Sequence, residues 1–455
     1  MIGAAPVKID ISDLIDKSKL TSFQVGIFIL CSVCLFMDGF DWQALAYVAP
    51  AISQDFKIPN SALGPVFGAA NFGFLIGSLL FSMLADKIGR RPVLIGMTFF
   101  FAVITLFTPR ATSVQELLLL RFMAGIGFGS IIPNATALVG EYSPQRKRMG
   151  AIMIMTTLGM NGGAMIGGFV SAWLIPTFGW ASVFYVGGVV PLVIAVLTFF
   201  WLPESMQFLV LRNRKPQNVA QWMKQIDPKA AAGGAVEYVV HEENRRGVPL
   251  VHLFRAGRTM VTILLWIINF MNLLMVHSLA SWLPTVIQDA GYSTSTAVLV
   301  ATVLQIGGVI GTFVLAWLIG RCGFVSVLTT SLALAGVAIA LIGQPGLSLA
   351  VLTAVVFVAG SCVIGSQIGI NALAATSYPT YLRSSGVGWG LGVGRVGAIA
   401  GPVIGGELMR LQWSTNQIFL AAAIPAVIST AAMFSMRWAI KPDTPTDSRS
   451  EVMVH

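Results

Sequence analysis

Apolar runs of about twenty residues alternate with short polar or basic loops along nearly all of this 455-residue chain. Twelve runs have the length of a bilayer-crossing helix: 23–50, 61–84, 93–109, 115–139, 150–174, 181–202, 259–288, 295–319, 324–343, 347–371, 385–408 and 416–438. The longest polar stretch, 204–258, divides them six and six. The expected organisation is a segment 1–22, a bundle 23–203, a linker 204–258 with room for one or two surface helices, a second bundle 259–438 and a tail 439–455. The halves echo each other. Glu141-Tyr-Ser-Pro144-Gln-Arg-Lys-Arg148 precedes a helix carrying Gly162–Gly168, and Tyr378-Pro379-Thr-Tyr-Leu-Arg383 precedes one carrying Gly397–Gly406. The expected fold class is therefore an all-α membrane protein, with twelve transmembrane helices in two pseudo-symmetric six-helix bundles, a plan used by transporters.

Composition agrees. Apolar residues make up 56% of the chain and charged residues 10%, against about 25% charged in soluble domains. A net charge of +9 would fit a nucleic-acid partner if it covered one surface. Instead the Lys and Arg gather in alternate loops. Lys57, Arg110 and Arg410 fall on the other side, and Arg121 and Arg395 lie inside spans. Such asymmetry marks the cytoplasmic side, so both termini are expected there, with a lipid bilayer and not nucleic acid as the surroundings. The first 22 residues are polar and lack the apolar core and cleavage site of a signal peptide. Cys31 and Cys34 form a C-x-x-C among apolar neighbours, without a second pair or a histidine. Packing of small residues is the expectation there, with no metal, cofactor or disulfide framework.

Asp38 and Asp41 lie inside the first span, three residues apart and so on one helix face. An intramembrane carboxylate costs several kcal/mol unless it is paired, protonated or facing water. Proton relay or ion coupling is the usual reason to keep one. Arg121 in span 4 needs a counter-charge, and the Asp38/Asp41 pair is the obvious source. Arg395 sits in the middle of span 11 among Gly392, Gly394 and Gly397; it either binds an anionic substrate or pairs with an acid such as Glu407. Phe40, Trp42 and Trp389 are candidate aromatic walls. Glu141, at the cytoplasmic end of span 4, either relays protons or clamps the Arg90/Arg91 loop. His277 in span 7 could titrate near neutral pH, although a lone histidine is more often packing. Asn269, Asn272, Gln305, Gln367 and Asn371 line a cavity or bond helix to helix. No metal cluster, phosphate loop or nucleophile motif points to an enzyme.

The loop after span 2 reads Ser82-Met-Leu84-Ala85-Asp86-Lys87-Ile-Gly89-Arg90-Arg91. It resembles the G-x-L-A-D-R-x-G-R-R signature of the major facilitator superfamily, with Ser82 and Lys87 as mild departures. The resemblance implies that Asp86, Gly89, Arg90 and Arg91 form a cytoplasmic gate; Gly89 permits the tight turn. Arg121-x3-Gly125-x-Gly127-x-Gly129 is similar to the superfamily's span 4 element. The antiporter motif of span 5 is incomplete, with Ala164 at the proline position, and its full form (Gly397, Gly401, Pro402, Gly405, Gly406) stands in span 11. The sugar-porter subclass fits poorly too: Pro203-Glu204-Ser205 stands after span 6, but no equivalent P-E-T-K-G follows span 12.

Asp38-Gly39-Phe40-Asp41, followed by Ala49-Pro50, resembles the aromatic acid:proton symporter family, and Asp86–Arg91, Arg121, Glu141-Tyr-x-Pro144 and Arg395 extend the likeness. It implies import of a benzoate-type acid, such as a hydroxybenzoate or protocatechuate, with protons, by a monomer in a bacterial inner membrane. The resemblance points to Asp38 and Asp41 for the coupling; Glu141 is expected as a further proton site, and Arg395 and Arg121 are the expected partners of the substrate carboxylate. The alternative is a proton-coupled exporter of drugs or other organic ions.

Overall fold

The computed structural model describes residues 7–212, 214, 216–227, 236–240, 250–255 and 257–439. The tail after Ala439, residues 1–6 and parts of the linker lie outside the described residues. Twelve helices are long and apolar enough to span a membrane: α1 Ser22–Asp55, α2 Asn60–Ile88, α3 Arg90–Arg110, α4 Val114–Tyr142, α5 Gln145–Phe178, α6 Ala181–Trp201, α7 Thr259–Asp289, α8 Thr294–Cys322, α9 Phe324–Ile342, α10 Leu349–Ser377, α11 Ser385–Arg410 and α12 Thr415–Ala439. Thr21 starts α1 with a capping box closed by Gln24. The helix continues through Pro50 to Asp55, past its expected end, because a bilayer offers a broken helix no water for its freed backbone groups. Gly89, at φ +109°, makes the turn between α2 and α3.

The packing repeats between halves. Helix α1 packs on α5, α2 on α4 and α3 on α6, while α7 packs on α11, α8 on α10 and α9 on α12. Glycines set the closest approaches. A Cβ on Gly73 would run into Phe122 O, and one on Gly125 into Ala70 O; Gly307 against Phe357 O and Gly360 against Leu304 O are the α8–α10 counterparts. Between apolar helices in lipid such contact is the main attraction, since burial of apolar surface adds little. The two bundles meet through α2 on α11, α5 on α8 and α1 on α7.

One region was not expected. β1 (Val7–Asp10) pairs in parallel with β2 (Val236–Val239) of the linker, Val7 opposite Val236. A short helix, Ile11–Lys17, follows, capped by Asp10 through Ser12 N at 2.7 Å, and it buries Ile11 and Ile15. Asp16 accepts from Gln145 N at 2.7 Å, which fixes this segment to the α4–α5 turn. The linker also holds the helices Met206–Leu211 and Pro216–Ile226.

Valine at Gly73 must push α4 away from α2, whereas a Cβ at Gly96 would meet nothing within 4 Å. Gly73→Val should lower the thermal midpoint in detergent and broaden the size-exclusion peak, at a cost of about 1–3 kcal/mol or more. Gly96→Val should leave both unchanged; equal behaviour of the two would refute the close-contact account.

Candidate functional site

A buried ion pair organises the first bundle. Arg121 Nη1 of α4 lies 3.1 Å from Asp41 Oδ2 of α1, and the side chains are 2% and 0% exposed. Neither charge could stay there alone, since breaking a buried pair costs about 3–5 kcal/mol. Thr105 of α3 donates to the second Asp41 oxygen at 3.1 Å. Arg121 Nη2 donates to Thr108 Oγ1 at 2.5 Å, and the guanidinium lies 4.8 Å from the Phe184 ring of α6. Four helices of one bundle thus converge on one charge pair. The expected counter-charge of Arg121 is Asp41 by itself. Asp38 is equally buried, and neither of its oxygens has a hydrogen-bond partner among the described residues.

Arg395 occupies the junction between bundles. It is half-buried, and its guanidinium lies 3.9 Å from the ring of Phe74 on α2, across the α2–α11 contact. No ion pair or hydrogen bond engages it among the described residues. A ring under the guanidinium face leaves the in-plane N–H donors free. Glu407 pairs instead with Arg410, at 2.5 Å, on the surface. The aromatic candidates separate. Trp42 lines a cleft with Asp41, Gln43, Asn71, Arg121 and Ser281, and touches His277 at 5.3 Å between centroids. Phe40 turns into the first bundle, against Gly167 and Gly187. Trp389 is 47% exposed and stacks on Trp266, on the same outer stripe of α11 as the half-exposed Val396, so it stands away from Arg395.

The ends of the helices divide into a basic face, where the α2–α3 and α4–α5 loops lie, and an opposite face. Contacts between bundles cluster towards the opposite face. Gln43 donates to Ala280 O at 2.8 Å and accepts from Gln305 at 3.2 Å. Asn60 meets Asp289 at 3.3 Å, Ser295 donates to Ala172 O at 2.9 Å, and Phe67 packs on Trp282 at 5.2 Å. Gly64 and Gly406 approach backbone to backbone. This belt closes the interior on that side. The other expected polar residues bond one another between α7 and α10: Asn272 donates to Gln367 at 2.8 Å, and Gln367 donates to Asn269 at 3.2 Å and Asn371 at 3.1 Å.

On the basic face the signature loop is braced within its own bundle. Arg90 Nε lies 2.8 Å from Glu141, whose other oxygen takes the Ser205 hydroxyl. Arg91 donates to Phe199 O. Glu204, between Pro203 and Ser205, accepts from the backbone N–H groups of Arg90 at 2.9 Å and Arg91 at 3.1 Å. Its carboxylate occupies the space a side chain at position 89 would need, a second reason for glycine there. Asp86 is exposed and has no partner among the described residues. Thr105, Thr108 and Phe74 escaped the sequence reading, and Glu204 entered it only as part of Pro203-Glu204-Ser205, without the bracing role. Two threonines three residues apart just before the arginine span, and an acid directly after span 6, were the available signals.

Asp41→Leu should destabilise the folded protein by about 3–5 kcal/mol, because Arg121 keeps its buried charge. Adding Arg121→Met should recover a large part of that loss in thermal unfolding. Additive losses would mean that the two residues are not coupled.

The family model described as Major Facilitator Superfamily matches residues 31–398 and 265–452. The chain is 39% identical over 430 residues to a 4-hydroxybenzoate transporter of Pseudomonas aeruginosa, covering 94% of this chain and 95% of the relative. It is 36% identical to a gallate transporter of Pseudomonas putida, covering 94% and 95%. Among solved structures, a bacterial homologue of the lysosomal transporter Spinster superposes with a TM-score of 0.71 at 15% identity, covering 93% of this chain and 98% of that one. The chain is a multi-pass membrane transporter of the major facilitator superfamily, and it belongs to the aromatic acid transporter family within it.

Proposed function

We propose that this protein imports an aromatic carboxylate of the hydroxybenzoate or protocatechuate type by proton symport through alternating access. The observation that carries the reading is Arg395, a guanidinium seated on an aromatic ring between the bundles with no ion pair among the described residues. A carboxylate needs a cation, and a benzoate ring needs apolar walls. Relatives named as transporters of 4-hydroxybenzoate, gallate and benzoate support the substrate class. The bundles 23–203 and 259–438 act as the two moving halves, with 204–258 as their linker. The basic face is the cytoplasmic one, as the loop charges argue, and the membrane is the bacterial inner membrane.

In the proposed cycle Arg395 takes the substrate carboxylate while Asp38 takes the proton. A sealed carboxyl with no donor to meet it is better tolerated neutral than ionised. Asp41 stays with Arg121 and holds α1 in place, so the coupling carboxylates divide the work. Arg121 serves the substrate indirectly, through the bundle it organises. Release follows towards the basic face, since the contact belt closes the other side. The Asp86–Arg91 loop, braced by Glu141 and Glu204, is the element that meets the second bundle when this side shuts; Asp86 is free to do so. A monomer suffices for this cycle, since the substrate path lies between the two halves of one chain.

Uptake of radiolabelled benzoate, hydroxybenzoates, protocatechuate and vanillate into proteoliposomes tests the proposal. An inward proton gradient should drive accumulation of at least one acid. Arg395→Gln should lower that uptake by about 10- to 100-fold, the equivalent of about 1.5–3 kcal/mol of charge-assisted hydrogen bonding. Asp38→Asn and Asp41→Asn should each abolish gradient-driven accumulation. Normal accumulation by Asp41→Asn would remove it from coupling, and no uptake of any acid by folded protein would favour an exporter.

A further inference from the structure

His277 stands where the three parts of the central region meet. Its ring touches Trp42 of α1 edge-on, at 5.3 Å and 74°. Trp42 packs on the cluster that holds Phe74, the ring under Arg395 of α11, and α11 lies against this stretch of α7, with Gly394 on Leu273 and Gly397 on Phe270. Ser281, one turn further along α7, lines the same cleft as Trp42 and Asp41. The residue is only 5% exposed. Its Nδ1 lies 2.9 Å from Leu273 O. A carbonyl can only accept, so Nδ1 must carry the hydrogen. In the neutral ring Nε2 is then a bare acceptor, and it has no hydrogen-bond partner among the described residues.

The polarity of the region is therefore specific. Arg395 offers N–H donors and His277 offers a lone pair, with the rings of Phe74 and Trp42 beside them. The complementary ligand has an acceptor at one end, a flat apolar middle and a donor at the other. An aromatic acid bearing a ring hydroxyl has that pattern. Benzoate has no donor, and an aryl ether presents a second acceptor, which would face the lone pair of Nε2.

We propose that His277 Nε2 accepts a hydrogen bond from the ring hydroxyl of the substrate while Arg395 holds its carboxylate, which makes His277 the residue that selects phenolic acids over unhydroxylated ones. This rests on the reading of the protein as an aromatic acid carrier. A site that leaves a buried acceptor unmatched rejects the wrong ligand more strongly than a missing contact alone would.

The test compares uptake of 4-hydroxybenzoate, benzoate and 4-methoxybenzoate in proteoliposomes. The wild type should favour 4-hydroxybenzoate over both others by about 10-fold or more in apparent affinity, the scale of one buried hydrogen bond. His277→Phe should bring that preference to within about 3-fold, chiefly by weakening 4-hydroxybenzoate. His277→Gln, which keeps an acceptor, should retain most of it. A second readout needs no variant: in protein carrying nitrogen-15 histidine, the His277 Nε2 resonance should shift with 4-hydroxybenzoate and stay in place with 4-methoxybenzoate. An unchanged preference in His277→Phe, or equal shifts with both ligands, overturns the assignment to His277 and leaves the carrier reading standing. Uptake of another acid of the panel above but of none of these three also overturns the assignment to His277, and failure of the wild type to take up any acid of that panel overturns the carrier reading itself.

Discussion

A charge pair sealed inside a membrane bundle is the constraint on which the first half of this protein depends. Asp41 and Arg121 each carry a dehydration cost of several kcal/mol that only the other can offset. Their geometry is held by Thr105, Thr108 and Phe184, so α1, α3, α4 and α6 have little freedom to shift. That fixes the rotation of α1. With Asp41 turned into its own bundle, Trp42 and Gln43 face α7 and α8. The same pair therefore sets both the interior of one half and the surface it shows to the other.

The halves match in architecture and differ in chemistry. Helix pairs and glycine contacts repeat from the first bundle to the second. The first bundle holds its polar interior with ions, the second with a chain of amides from Asn269 to Asn371. Arg395 is the exception: a cation of the second bundle whose neighbour is a ring of the first. Its place at the seam means that any relative movement of the halves would change its surroundings, unlike those of a residue deep in either bundle.

Much of the fold was legible because hydropathy records the solvent that a helix meets. Twelve spans, their six-and-six division and a counter-charge for Arg121 all followed from counting apolar residues and asking what a buried ion requires. Direction around a helix was harder to read. In a membrane both the interior and the lipid side are apolar, so nothing local separates Trp389, on the outside, from Trp42, in the cleft. Spacing put Asp38 and Asp41 on one face, yet their different angles around α1 sent one to Arg121 and left the other without a donor. The role of Glu204 was hidden for another reason. Its partners are backbone N–H groups in a distant loop, and backbone leaves no mark in a pattern of side chains.

The strand pairing of β1 with β2 bears on how the protein is made. Val7 leaves the ribosome ahead of the first bundle, and its partner Val236 emerges only after all six helices of that bundle. Until then β1 lacks the strand it pairs with. Its closure is a non-local step, entropically costly and late. The pairing therefore acts as a record of order in biogenesis: it must wait for the first bundle and the start of the linker, yet both of its strands are available before the first helix of the second bundle has been synthesised.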